Sequence, residues 1–332
     1  METKLQNKNI MSQLATMKVA AINKFGGIEE IKILTLPIPA IDEDEVLIKV
    51  DFAGVGSWEP FEREGGYAKM MGMTPAFPYV LGSEGAGTIV NVGDKVKRFK
   101  KNDKVYAAGF LNPKGGFYAE YVAIKEDLVS HIPTQVNIKQ AAAMPGVGLT
   151  ALRGLEDTLH LKKGESIIIF GASGPMGHLA VQLARRIGAR VFAIAAGDAG
   201  VSLIKKIGAD AVIDGLKDDF GKEALKFAPN GFDAALLTAG GDIVENILKA
   251  LRNDGRVAYP NGIFPIPDEI EGINIHSFNG EPDKDLIERF NKLIGSESFE
   301  VCIAKIFTLE QAAEAQNALG EHLIGKIILK IQ

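Results

Sequence analysis

A short apolar strand that runs into a glycine-spaced turn and then an amphipathic helix leaves few folds open to this chain. The strand sequence is Ser166-Ile167-Ile168-Ile169-Phe170, the turn is Gly171-Ala172-Ser173-Gly174-Pro175-Met176-Gly177, and the helix pattern runs from His178 to Gly188. Ile167 to Phe170 is apolar and mostly β-branched, as a parallel strand buried on both faces should be. Leu179, Leu183 and Ile187 recur at helical spacing, and Gly188 stands where a helix stop belongs. Glycines let backbone approach an anion, and a helix start offers unpaired N–H groups and a positive dipole end. A pyrophosphate suits such a seat, so Gly171, Ala172, Ser173, Gly174, Pro175, Met176 and Gly177 are read as a dinucleotide-binding turn. The spacing is Gly-x-x-Gly-x-x-Gly, not the commoner Gly-x-Gly-x-x-Gly, and a purely structural strand-to-helix turn would use the same residues.

The 332 residues leave room for two domains with their own cores. A net charge of -5 argues against a dedicated nucleic-acid binder. Cys302 is the sole cysteine, which rules out an intramolecular disulfide and a four-cysteine zinc site. Its neighbours Val301 and Ile303 suggest a strand core rather than a nucleophile. No apolar run reaches membrane-spanning length, and the first residues are polar, so a cytoplasmic chain with a mobile extension over residues 1–16 is expected.

From residue 17 to about 140, short β-branched segments alternate with Gly, Asp and Lys turns, the pattern of a β-rich domain. From 141 to 280, helical patterns alternate with buried strands, which predicts a doubly wound parallel sheet. Residues 281–332 are expected to complete the first domain, making the whole an α/β chain.

Several short segments then stand in a telling order. They are Leu81-Gly82-Ser83-Glu84-Gly85, Phe99-Lys100-Lys101-Asn102-Asp103-Lys104-Val105-Tyr106, Gly115-Gly116-Phe117-Tyr118-Ala119-Glu120-Tyr121, Gly148-Leu149-Thr150-Ala151-Leu152, the glycine turn, Gly208-Ala209-Asp210 and Gly325-Lys326-Ile327-Ile328-Leu329. In this the chain resembles the medium-chain dehydrogenase/reductase superfamily, and within it the zinc-independent quinone oxidoreductase (zeta-crystallin-like) branch. The resemblance covers Met17 to Ile331 and implies a GroES-like β-rich catalytic domain with a doubly wound Rossmann domain inserted. It further implies a homodimer joined near Ile273–Phe278, and cofactor contacts from Thr150 and from Lys326, which could equally be a surface strand lysine.

Departures from the zinc alcohol dehydrogenases of the superfamily are informative. Where those carry cysteine, histidine and a further cysteine, this chain has Gly56-Ser57, Ser83 and the neighbourhood of Gly146. Glu84 remains, but one carboxylate does not hold Zn²⁺, so no metal is expected. The end of the second Rossmann strand is placed at Ala195, Ala196 and Gly197, with no carboxylate to bind ribose hydroxyls. That favours NADP(H) over NAD(H), although Asp198, three positions on, could reach a ribose or be a turn residue. Thr238-Ala239-Gly240 and Tyr259 to Asn261 end the next two strands, where ligands gather.

Without a metal, hydride acceptors must stabilise their own negative charge, which points to quinones and α,β-unsaturated ketones, small apolar conjugated molecules. Tyr67 could donate the proton or simply line the site; Arg63 could orient substrate or pair with Glu59 or Glu62; Trp58 and Phe61 could form an apolar wall or lie in a core. His178 could neighbour a phosphate or be a satisfied helix residue. An alcohol or aldehyde oxidoreductase on the same scaffold, and a low-turnover dinucleotide-binding protein with structural or RNA-binding roles, are the competing readings.

Overall fold

The computed structural model describes residues 15–73, 75–295 and 297–332, so most of the expected N-terminal extension lies outside the described residues. The described residues divide into two compact units: those of 15–146, 303–322 and 327–332 form one, and those of 147–302 and 323–326 the other.

The first unit is built from antiparallel sheets. Strands β1 (Thr16–Ile22), β2 (Lys32–Pro37) and β4 (Tyr79–Val80) make a three-stranded sheet in the order β2-β1-β4. A seven-stranded sheet contains β3 (Glu45–Val55), β5 (Glu84–Val92), β6 (Lys104–Ala108), β7 (Tyr121–Lys125), β8 (Val129–His131), β15 (Ile303–Thr308) and β16 (Lys326–Lys330). Its order is β15-β16-β3-β5-β6-β8, with β7 also on β3. The long strand β3 partners β5, β7 and β16, and register shifts at Leu47/Ile48 and Val50/Phe52 mark irregularities that let it curve. Gly87 is required where β5 crosses it, because a Cβ there would stand 2.0 Å from the Lys49 carbonyl oxygen.

The second unit is a parallel six-stranded sheet. Strands β9 (Ser166–Phe170), β10 (Arg190–Ala195), β11 (Ala211–Asp214), β12 (Phe232–Leu237), β13 (Leu251–Pro260) and β14 (Ile273–Phe278) lie in the order β11-β10-β9-β12-β13-β14. Numbered along the unit this is 3-2-1-4-5-6, the doubly wound dinucleotide-binding order, with its switch point between β9 and β12. Ile167, Ile168 and Ile169 are fully buried, which explains why β9 reads as an unbroken apolar run. Residues 281–302, expected with the first unit, belong to the second. The cause is the helix Lys284–Ile294, whose apolar stripe of Leu286, Ile287, Phe290 and Ile294 packs on the helix Gly177–Ile187.

Candidate functional site

The glycine turn sits at the carboxyl end of β9, beside the end of β12, where the strand order reverses. Gly171 has φ +75° and passes so close to β12 that a Cβ would stand 2.5 Å from Thr238 Oγ1. The Thr238 hydroxyl donates to the carbonyls of Phe170 (2.7 Å) and Gly171 (3.1 Å), clamping the two strand ends. Gly177 is needed for a different reason: its Cβ would come within 2.2 Å of the Gly171 carbonyl and 2.7 Å of Ala172 Cα, so only glycine lets the helix start against the strand.

Not every expected turn residue keeps an amide for a ligand. The Ala172 N–H donates to Ile194 O at 2.9 Å and the Gly174 N–H to Gly171 O at 3.0 Å, while Pro175 has none. The amides left for an anion are those of Ser173, Met176 and Gly177, and no side chain caps the start of the helix Gly177–Ile187. An uncapped helix beside a cradle that a Cβ would fill fits the diphosphate of a dinucleotide.

His178 braces this turn from behind. It is fully buried, its Nδ1 lies 2.8 Å from Gly174 O, and its Nε2 accepts the Cys302 N–H at 3.1 Å. Because an amide can only donate, the imidazole is the Nδ1–H tautomer, with that proton given to Gly174. Burial lowers its pKa from 6.5 to about 4. His178 is thus a satisfied structural residue rather than a phosphate contact. Cys302 is half-buried just before β15, and burial pushes its thiol up, away from nucleophilic use.

At the end of β10, Ala195 is buried, Ala196 is followed by Gly197 at φ +71°, and the Gly197 N–H donates to Asp214 Oδ1 at 3.1 Å. Asp214 also accepts the Leu216 N–H at 3.1 Å, and these amides hold its carboxyl below the usual range. Asp198 is exposed and pairs with Lys217 Nζ at 2.7 Å; the same ammonium lies 3.6 Å from Asp214. Sequence reasoning missed Asp214, the last residue of β11, and Lys217, just past it, because they reach the end of β10 from the neighbouring strand.

The remaining expected contacts have these places. Thr150 lies in the helix Pro145–Leu152 against Gly280, whose Cβ would meet its hydroxyl at 1.9 Å. Ala239 follows the clamped Thr238, and Gly240 is forced by the Phe264 carbonyl, 1.9 Å from its would-be Cβ. Tyr259 packs against the sheet core, while the exposed Asn261 donates to Asn279 Oδ1 at 2.7 Å. Lys326 is 1 % exposed, so it is not a surface strand lysine.

In the first unit, Arg63 is committed to structure. Its guanidinium donates to Gly26 O (3.1 Å), Gln316 Oε1 (2.5 Å) and Glu64 Oε1 (2.7 Å), and it is buried. These partners give the guanidinium a structural place, in contrast to the substrate-orienting role that the sequence offered. The carboxylates of Glu59 and Glu62 are buried and accept the hydroxyls of Tyr118 and Tyr79 respectively. Burial raises the pKa of Glu62. Tyr67 is half-buried and packs edge-on against Phe61, with centroids 4.9 Å apart. Burial first, and the Glu62 carboxylate second, push its phenol above the usual range, so it keeps its proton at neutral pH.

The three positions at which zinc relatives carry ligands converge on one side chain. The half-buried Trp58 donates from Nε1 to Ser83 Oγ at 2.7 Å. A Cβ on Gly56 would lie 2.3 Å from the indole, and a Cβ on Gly146 would lie 2.7 Å from it. Glu84 Oε2 accepts the Gly146 N–H at 2.7 Å. Two glycines, a serine and one carboxylate form no zinc donor set, and the indole fills the space between them, so these residues do not fit a metal ion.

Residues 42–134 match the family described as alcohol dehydrogenase GroES-like domain, and residues 175–278 that described as zinc-binding dehydrogenase. The quinone oxidoreductase of Mus musculus is 30% identical over 334 residues, spanning 94% of this chain and 97% of that protein. A chloroplastic NADPH-dependent alkenal/one oxidoreductase of Arabidopsis thaliana is 29% identical over 324 residues, spanning 94% of this chain and 79% of the relative. The structure of the quinone oxidoreductase from Coxiella burnetii superposes with a TM-score of 0.80 at 25% identity, over 96% of this chain and 100% of that one. With GroES-like and Rossmann-type units in one chain and these relatives along nearly its whole length, the protein is an oxidoreductase and belongs to the quinone oxidoreductase branch of the medium-chain dehydrogenase/reductase superfamily.

Proposed function

We propose that the chain is a metal-free reductase that delivers hydride from NADPH to a quinone or an α,β-unsaturated carbonyl. The observation that carries this reading is the joint presence of a diphosphate seat and a zinc-ligand position rebuilt as Gly56, Ser83, Gly146 and the Trp58 indole. A nicotinamide dinucleotide held at the turn supplies the hydride. The amides of Ser173, Met176 and Gly177 hold its diphosphate. Tyr67, protonated at neutral pH, hydrogen-bonds the acceptor oxygen and yields its proton as charge develops there. NADPH is favoured over NADH because Ala195, Ala196 and Gly197 carry no carboxylate of their own at the end of β10, and Lys217, paired there with Asp198 and Asp214, would exchange the exposed Asp198 for a 2′-phosphate. The names of the relatives from Mus musculus and Arabidopsis thaliana support the substrate class.

The test is consumption of reduced nicotinamide with a naphthoquinone and with an alkenal, compared for NADPH and NADH. Turnover with neither acceptor, or a preference for NADH, would remove the corresponding half of the proposal. A homodimer through β14 is supported by its place at the edge of the six-stranded sheet, paired only with β13. Sedimentation at monomer mass would exclude it.

A further inference from the structure

We propose that Asn261-Gly262 is a self-modifying site: the Gly262 amide nitrogen attacks the Asn261 side-chain amide, ammonia leaves, and the bridge that joins the ends of β13 and β14 is lost. Its consequence for the dinucleotide rests on the reductase reading above; the modification itself does not.

Three asparagines of this chain are followed by glycine: Asn230, Asn261 and Asn279. Glycine is the successor that crowds such an attack least, so the dipeptide alone marks all three. The fold separates them. Gly231 is wedged, since a Cβ on it would stand 2.7 Å from Arg252 N, and its own amide donates to Ala228 O at 3.0 Å. Gly280 is pinned against the Thr150 hydroxyl, which its Cβ would meet at 1.9 Å. Gly262 differs from both: beyond its chain neighbours nothing stands within 4 Å of its Cβ position. Its amide makes no backbone hydrogen bond among the described residues, and both it and Asn261 are exposed. Gly262 is the third residue of the turn 260–263, closed by the Ile263 N–H on Pro260 O at 3.3 Å, and has φ +99°. The side chains that follow are lightly packed, with Phe264 73% and Ile266 57% exposed, so the chain here can swing the Gly262 nitrogen toward Asn261 Cγ.

In the reaction a bond forms between Gly262 N and Asn261 Cγ, and the Cγ–Nδ2 bond breaks. The side-chain nitrogen departs as ammonia with the Gly262 amide proton, leaving a cyclic imide. Water opens that ring at either carbonyl, to an aspartyl or an isoaspartyl link, with no change of oxidation state. The departing Nδ2 is the atom that donates to Asn279 Oδ1 at 2.7 Å, so either product lacks the donor of that bridge. The isoaspartyl link also adds an atom to the main chain of the turn. Two residues beyond Gly262, the Phe264 carbonyl lies 1.9 Å from the would-be Cβ of Gly240. Gly240 follows the Thr238 clamp on Phe170 and Gly171 by two residues. A lengthened turn at Gly262 is thereby passed to the strand end beside the dinucleotide seat, all within the second unit.

The whole protein is aged in mildly alkaline buffer, where the amide nitrogen is the better nucleophile, and mapped by peptide mass spectrometry. In the folded chain ammonia loss at Asn261 should run at least about tenfold ahead of that at Asn230 and Asn279. In urea the three should draw level, because the fold no longer separates them. Aged wild type should bind NADPH about tenfold more weakly than fresh protein, read from nicotinamide fluorescence. Asn261→Gln, aged alike, should match its own fresh sample. No loss at Asn261, loss as fast at Asn230 or Asn279 in the folded chain, or the same ranking in urea would overturn the site. Deamidation at Asn261 with NADPH affinity kept would overturn its link to the seat. If fresh protein binds no NADPH, the dinucleotide reading falls, and the mapping still decides the modification.

Discussion

Acidification below the ordinary histidine range should loosen the dinucleotide seat, because His178 must stay neutral to hold it. The imidazole accepts the Cys302 amide at Nε2 (3.1 Å) and donates from Nδ1 to Gly174 O (2.8 Å). A proton on Nε2 would set one donor against another in a buried site. Its pKa accordingly falls from 6.5 to about 4. Each tenfold change in proton affinity is worth about 1.4 kcal/mol, so the native state resists that proton by about 3 kcal/mol. The sign follows from linkage. Above pH 6.5 the residue is neutral folded or unfolded, and the full stability is present; between pH 6.5 and about pH 4 only the unfolded chain takes the proton, and that stability is lost. Urea unfolding followed by far-UV circular dichroism at both ends of this window should show the loss, with Trp58 emission as a separate signal from the first unit. His178→Asn, which keeps a donor toward Gly174, should start less stable and flatten the pH dependence. A variant whose stability falls as steeply as that of wild type across the window would refute the assignment, since the titrating group would lie elsewhere.

Gly177→Ala should lower stability by about 1–3 kcal/mol, because its Cβ would meet the Gly171 carbonyl at 2.2 Å, and should weaken dinucleotide binding; both are read by thermal melting with and without NADPH. Lys217→Ala should weaken NADPH about tenfold and leave NADH unchanged, and equal effects on the two cofactors would show that Lys217 meets no 2′-phosphate. Tyr67→Phe should lower kcat more than it raises KM; an unchanged kcat makes the phenol a lining group. A saturated aldehyde should be reduced at least about a thousandfold more slowly than a quinone, and comparable rates would favour the alcohol/aldehyde reading.

How much of this was legible in the chain depends on the range of the interactions. The turn was legible in part: Gly177 answers to Gly171 and Ala172 within the same strand-turn-helix unit, whereas the close neighbour of Gly171 is Thr238, after the remote strand β12. The parallel sheet was legible from buried runs such as Ile167 to Ile169. The β10 end was legible only in part: Ala195 to Gly197 were placed, but the carboxylate that meets Gly197 is Asp214, at the end of β11, and the ammonium that meets Asp198 is Lys217, just past it. Arg63 was misplaced because its partners Gly26 and Gln316 are remote in sequence, and no local pattern shows a guanidinium already engaged. Residues 281–302 were put with the wrong unit because chain order suggested it, whereas the apolar stripe of Leu286, Ile287, Phe290 and Ile294 decides the packing.

Trp58 shows the same limit from the other side. The sequence displays three missing ligands as three unrelated losses, at Gly56, Ser83 and Gly146. The structure makes them one event, since a single indole requires both glycines and uses the serine as its acceptor. A cysteine at Gly56 or Gly146 would drive its Cβ into that ring, so the indole would have to move to admit one. The chemistry follows from the packing. A Lewis acid would supply several kcal/mol toward the oxyanion of a reduced saturated carbonyl, and Gly56, Ser83 and Gly146 give a zinc ion no donor set. An acceptor that spreads its own charge over a conjugated plane needs less help of that kind.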